Sequence, residues 1–253
     1  MILTVNGHYP PGNYTILFDG EGKISVNSPT YKPDVVEEAP GRLVVALDPA
    51  RSRGAIVSVV ISETNPANHI RNIRVLLPGH ESARADELFR PGFLKMWKGM
   101  SVIRFMDWQL TNGSQQARWI DRPRMDDATW SRAGVPVEAM VALCNKLKAD
   151  PWFCMPHLAD DDYVRNFAQL VRDQLDPSRK VYVEFSNEVW NGIFEQCEWA
   201  GQEGIKEGLA TTPWDASSKF YARRSVQIFK IGEEVFDGRD RLVRVLSSQA
   251  CRR

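Results

Sequence analysis

Three short apolar runs each end in residues able to move protons or hold polar ligands. Val181-Tyr-Val-Glu184-Phe-Ser-Asn187-Glu188-Val-Trp190-Asn191 sets an amide, a carboxyl, an indole and a second amide directly after an alternating run. Val102-Ile-Arg104-Phe-Met-Asp107-Trp108 ends in a cation, a carboxyl and an indole, and Phe153-Cys-Met-Pro-His157 ends in an imidazole. If the runs are parallel strands of an α/β barrel, these ends share the rim where such folds keep their reactive groups. The chemistry that fits is proton transfer by Glu188, with Arg104 and His157 tuning nearby charge and Trp108 and Trp190 offering stacking surfaces. Asn187 and Asn191 would bond hydroxyls. A second carboxyl is available at Asp107, on the rim, or at Glu184, four residues before Glu188 on the same side of the strand. Plainer roles compete: a solvated strand end for the Asn-Glu pair, a loop-bonding histidine for His157, and an ion pair with Asp107 or Glu188 for Arg104.

Elements able to position these residues are legible in the periodicity. Up to about residue 66, runs such as Tyr14–Phe18, Arg42–Leu47 and Ala55–Ile61 alternate and are broken by Gly, Pro, Asn and Asp, which predicts a small β-rich domain over 1–66. From 67 to 253 strand-like and helix-like runs take turns, as in βα units around a parallel sheet. The expected strands are Ile70–Leu77, Ser101–Met106, Trp152–Pro156, Val181–Phe185 and Arg241–Leu246. Between them Met140, Val141, Cys144 and Leu147 fall at helical spacing, as do Tyr163, Phe167, Leu170, Val171 and Leu175 behind the acidic cap Asp160-Asp161-Asp162. A further helix is expected from about Ser217 to Val235. The fold class is therefore α/β, with about five βα units: an incomplete (β/α)8 TIM-type barrel, since eight units typically need about 250 residues for the barrel alone.

The run Phe-Ser-Asn187-Glu188-Val-Trp190-Asn191, with Arg104-Phe-Met-Asp107-Trp108 upstream, resembles clan A glycoside hydrolases, in which an Asn-Glu pair ends strand four. The finer run is similar to uncharacterised bacterial cellulase-like proteins of that clan. The resemblance implies a glycosidase cleaving β-linked glycans by a retaining mechanism, in which two carboxyls stand about 5 to 5.5 Å apart, with Glu188 as acid/base and Asn187 on the sugar 2-hydroxyl. It further implies substrate contacts at Arg104 and His157, and a nucleophile Glu at the end of strand seven, beyond the last strand expected here. A truncated gene, a half-barrel completed by another copy, or a different residue in the nucleophile's place would each account for that. A non-catalytic carbohydrate-binding or structural remnant is the alternative reading.

Composition narrows the partners. Across 253 residues Lys plus Arg and Asp plus Glu number 32 each, so no net field draws the chain to nucleic acid or an anionic membrane; an oligo- or polysaccharide fits better. No run approaches a membrane span, and Met1–Pro10 lacks the pattern of a secretory signal, which suggests a cytoplasmic or already trimmed protein. Cys144, Cys154, Cys197 and Cys251 show no metal or CxxC spacing and read as buried free thiols; no metal or other cofactor is expected. Phosphate loops, a GxSxG elbow and HExxH are absent. Trp97, Trp119, Trp130 and Trp152 read as packing residues. The open edge of an unfinished parallel sheet predicts a homodimer or higher oligomer that covers it.

Overall fold

The computed structural model describes residues 8–53, 56–81 and 87–249. Ala55 and Cys251 lie outside the described residues. The chain divides into two compact units, Met1–Glu87 and Leu88–Arg253.

The first unit contains β1 (Gly12–Asp19), β2 (Gly22–Asn27), β3 (Asp34–Ala39), β4 (Arg42–Leu47), the single-turn α1 (Pro49–Ser52), β5 (Ser58–Thr64) and β6 (Arg71–Leu76). One antiparallel sheet has the order β3-β4-β1-β6, and β2 pairs with β5 in another. Alternation explains the core: Tyr14 and Ile16 of β1 and Leu43, Val45 and Leu47 of β4 point inward and meet Ile24 and Val26 of β2. The run expected at Ile70–Leu77 does form a strand, but it is β6, paired antiparallel with β1. It therefore belongs to the first unit, and the division falls at 87/88 instead of 66/67. An isolated apolar run carries no information about its partner, because pairing is decided by the hydrogen-bonding edge available to it.

The second unit contains α2 (Pro91–Trp97), β7 (Val102–Arg104), a 3₁₀ turn (Trp119–Asp121), α3 (Val137–Leu147), β8 (Asp150–Met155), α4 (Asp161–Gln174), β9 (Val181–Phe185), α5 (Glu195–Lys206), α6 (Pro213–Val235) and β10 (Leu242–Val245). Its sheet has the order β10-β9-β8-β7, every pair parallel, so it holds four of the five expected strands. Strand order follows chain order, with helices as the crossovers. Ile103, Phe105, Phe153, Met155, Val181 and Phe185 project from one face and bury themselves against Met140 and Val141 of α3, Val164 and Phe167 of α4 and Ile228 and Ile231 of α6. Register puts Arg104, Trp152 and Tyr182 in one row and Cys154 and Glu184 in the next, on the opposite face.

Local sequence accounts for the helix ends. Asp160 caps α4, its carboxylate accepting from the Tyr163 N–H at 2.7 Å. α6 starts at Pro213, before the expected Ser217, because Thr212 caps it and proline suits the first turn. α5 was not anticipated; it packs on α6 through glycines, with the space of a Cβ at Gly204 already taken by the Ala216 carbonyl oxygen at 2.5 Å. Cys144, Cys154 and Cys197 are free and buried. Burial pushes the Cys144 thiol up to about 12 and raises that of Cys154 further.

Candidate active site

Parallel pairing brings the ends of β7, β8 and β9 together, and the central contact there is between Arg104 and Glu184. Arg104 Nη2 and Nε donate to Glu184 Oε2 at 2.8 and 3.2 Å. Trp152 Nε1 donates to the same oxygen at 2.9 Å, and Ser247 Oγ, beyond β10, donates to Oε1 at 2.6 Å. Glu184 is 1% exposed with both oxygens engaged. It is an anchor for Arg104, not an open second carboxyl. Among the described residues Arg104 thus pairs with Glu184 and with neither Asp107 nor Glu188, because Glu184 sits across from Cys154 in the buried row next to that of Arg104, where a guanidinium can give it two donors. Burial opposes the Arg104 charge, but Cys154, Glu184 and Glu188 outweigh it and raise its pKa.

Arg104 also reaches Asn187, its Nη2 donating to Oδ1 at 2.9 Å. The Asn187 Nδ2 donates to Asn112 Oδ1 at 3.0 Å, so both ends of this buried amide are held. On either side of Asn187 the backbone turns left-handed, with φ of 56° at Ser186 and 43° at Glu188. That region costs an L side chain on the order of 1–2 kcal/mol per residue. The double turn ends β9 and leaves Glu188 only half-buried. Asn191 Nδ2 donates to Glu188 Oε2 at 2.9 Å, and Oε1 accepts no hydrogen bond among the described residues. Trp190, two residues after Glu188, is half-buried.

The other expected rim residues are placed differently. Trp108 packs into the apolar cluster, stacked on Phe93 with centroids 6.1 Å apart and tilted against Phe105; the chain bends after β7, which turns the indole toward α2 instead of the rim. His157 is 1% exposed, with its ring edge-on to Trp199 at 5.3 Å and neither ring nitrogen hydrogen-bonded among the described residues. Burial holds its pKa below 6.5, partly offset by Glu195. It is therefore closed off from a ligand by its packing. Asp107 is exposed.

Two residues not anticipated complete the arrangement. Asn112, in the loop after β7, accepts at Oδ1 from both Asn187 and Gln196 Nε2, the latter at 2.7 Å. Gln196, fully buried at the start of α5, also donates to the Asn187 carbonyl at 2.8 Å and accepts from the Gly113 N–H at 3.1 Å. Asn112-Gly113 carries a turn signal, but nothing local ties it to a helix eighty residues later. Among the described residues no group of three or more His, Cys, Asp or Glu is arranged to hold a metal ion. No protein-family model, curated protein or solved structure matches the chain.

Proposed function

We propose that this protein is a glycoside hydrolase acting on β-linked glycans, with Glu188 as the proton donor and Asn187 bonding the sugar hydroxyl beside the scissile bond. The observation that carries the reading is the pairing of a rigid amide with an open carboxyl: Asn187 is held through Oδ1 and Nδ2, while the adjacent Glu188 keeps one oxygen free at the C-terminal edge of a parallel sheet. An acid that protonates a leaving oxygen needs this combination of fixed support and access. Asn191 orients the other Glu188 oxygen, Arg104 supplies positive charge beneath the pair, and Trp190 is the indole nearest to it in sequence. Asn187 Nδ2 carries a second proton beyond the one given to Asn112, and with the residue 3% exposed a sugar hydroxyl would have to approach within the rim to accept it.

The sheet supports a partial barrel as the finer fold. Its strands follow chain order, its apolar face meets the helices, and its opposite face, which a barrel would turn inward, carries Arg104, Trp152 and Tyr182 in one row. With Glu184 committed to Arg104, the second carboxyl of this reading is Asp107 or a group from a second copy of the chain.

Hydrolysis of aryl β-glycosides and β-glucans by the purified protein, compared with Glu188→Gln, tests the assignment. General acid catalysis predicts a loss of roughly 10²- to 10⁴-fold in the variant. An inert wild type, or an equally active variant, would leave a carbohydrate-binding or structural role in its place.

A further inference from the structure

Left-handed turns at two successive alternate residues persist only where the surroundings over-determine them. Ser186 and Glu188 are such residues, and neither is glycine. The side chain of Asn187 between them is fixed by Arg104 and Asn112, and its carbonyl, which begins the peptide to Glu188, is fixed by Gln196. Asn112 and Gln196 are themselves joined at 2.7 Å, and Gln196 holds the next loop residue through the Gly113 N–H. Gly113 is left-handed at φ 62°, a conformation glycine adopts without strain, and a Cβ there would lie 3.1 Å from Glu195 Oε2, so the loop passes close to the start of α5. Gln115 Nε2 adds a bond to Glu195 Oε1 at 3.3 Å. The loop after β7 and the first turn of α5 thus form a clamp closed over the peptide that carries Glu188.

We infer that Asn112 and Gln196 are positioning residues for the acid/base, acting through Asn187 to fix the direction of the Glu188 carboxyl. The inference rests on the glycosidase reading. Neither residue needs to touch substrate. Asn112 contributes an acceptor oxygen shared by two donors, so aspartate can replace it and alanine cannot; Gln196 contributes two donor contacts, so glutamate of the same shape would repel both of its acceptors.

Two readouts on Asn112→Ala, Asn112→Asp and Gln196→Glu test this. The first is kcat/KM on aryl β-glycosides with a poor leaving group against the 2,4-dinitrophenyl analogue, whose departure needs no proton. A displaced acid should cost roughly 10- to 100-fold on the poor leaving group and little on the dinitrophenyl one, in Asn112→Ala and Gln196→Glu, with recovery in Asn112→Asp. Equal losses on both substrates, or none, would overturn the inference. The second is the side-chain amide signal of Asn187 in ¹H–¹⁵N spectra, assigned through Asn187→Ala, which needs no turnover. It should shift in Asn112→Ala; an unmoved signal overturns the clamp whatever the kinetics. A wild type inert on every substrate removes the glycosidase reading and the catalytic part of the inference, while the amide signal still decides whether Asn112 braces Asn187.

Discussion

Glu188 and His157 each follow a strand-like run, but only Glu188 is left partly open to solvent while His157 is buried. Glu188 follows an alternating run and precedes an indole, so its place at a strand end needs only local pattern. His157 has the same kind of position after β8, yet the α5 side chain Trp199 closes over it. Its burial has a measurable consequence. A histidine held neutral when folded but free to titrate near 6.5 when unfolded costs nothing above that pH, and its stability contribution is lost as pH falls from 6.5 through the lower folded value. Thermal unfolding midpoints should therefore decline across that window, and His157→Phe should flatten the decline. At neutral pH the same variant should gain about 1 kcal/mol in urea titrations, because it removes a buried ring whose two nitrogens have no hydrogen-bond partner among the described residues. A midpoint as pH-dependent in the variant as in wild type would refute this account.

At the scale of elements, helices with clear apolar spacing were legible and α5 was not. Its buried face consists of Gln196, Cys197, Ala200, Gly201 and Gly204, which gives almost no apolar stripe. It is held by close approach to α6: a Cβ at Gly201 would meet the Pro213 carbonyl oxygen at 2.9 Å, and one at Gly204 the Ala216 carbonyl oxygen at 2.5 Å. Backbone cannot yield as a flexible side chain does, so Gly204→Ala should destabilise the protein by about 1–3 kcal/mol despite alanine's better helix propensity. Urea denaturation checks the sign, and a stabilised variant would mean the two helices are not tightly engaged. Because Gln196 stands at the start of α5, that loosening should reach the Asn187 clamp as well.

For the molecule as a whole, the parallel sheet ends at β7 and β10, and neither has a further strand partner among the described residues. The face opposite the helices presents Trp152 and Tyr182, stacked at 5.8 Å and only half-buried, beside Arg104. Unpaired edge groups and a half-covered aromatic layer favour association. Light scattering on the purified chain should accordingly give about twice its 28.7 kDa mass at micromolar concentration; a stable monomer would count against a second copy as the cover and, in the proposed glycosidase reading, as the source of a second carboxyl.

The sequence by itself determined the alternating runs, the amphipathic helices α3 and α4, the acidic cap of α4 and the chemical types gathered after β7, β8 and β9. Each of these depends on residues within a few positions of one another, where backbone period and capping act. Tertiary structure alone decided that Ile70–Leu77 joins β1, that Glu184 is spent on Arg104, and that Trp108 and His157 turn into packing. It alone brought Asn112 and Gln196 to Asn187. The reason is physical: which edge a strand pairs with, and which partner a buried polar group finds, are set by groups far away in sequence, and no local period encodes that distance.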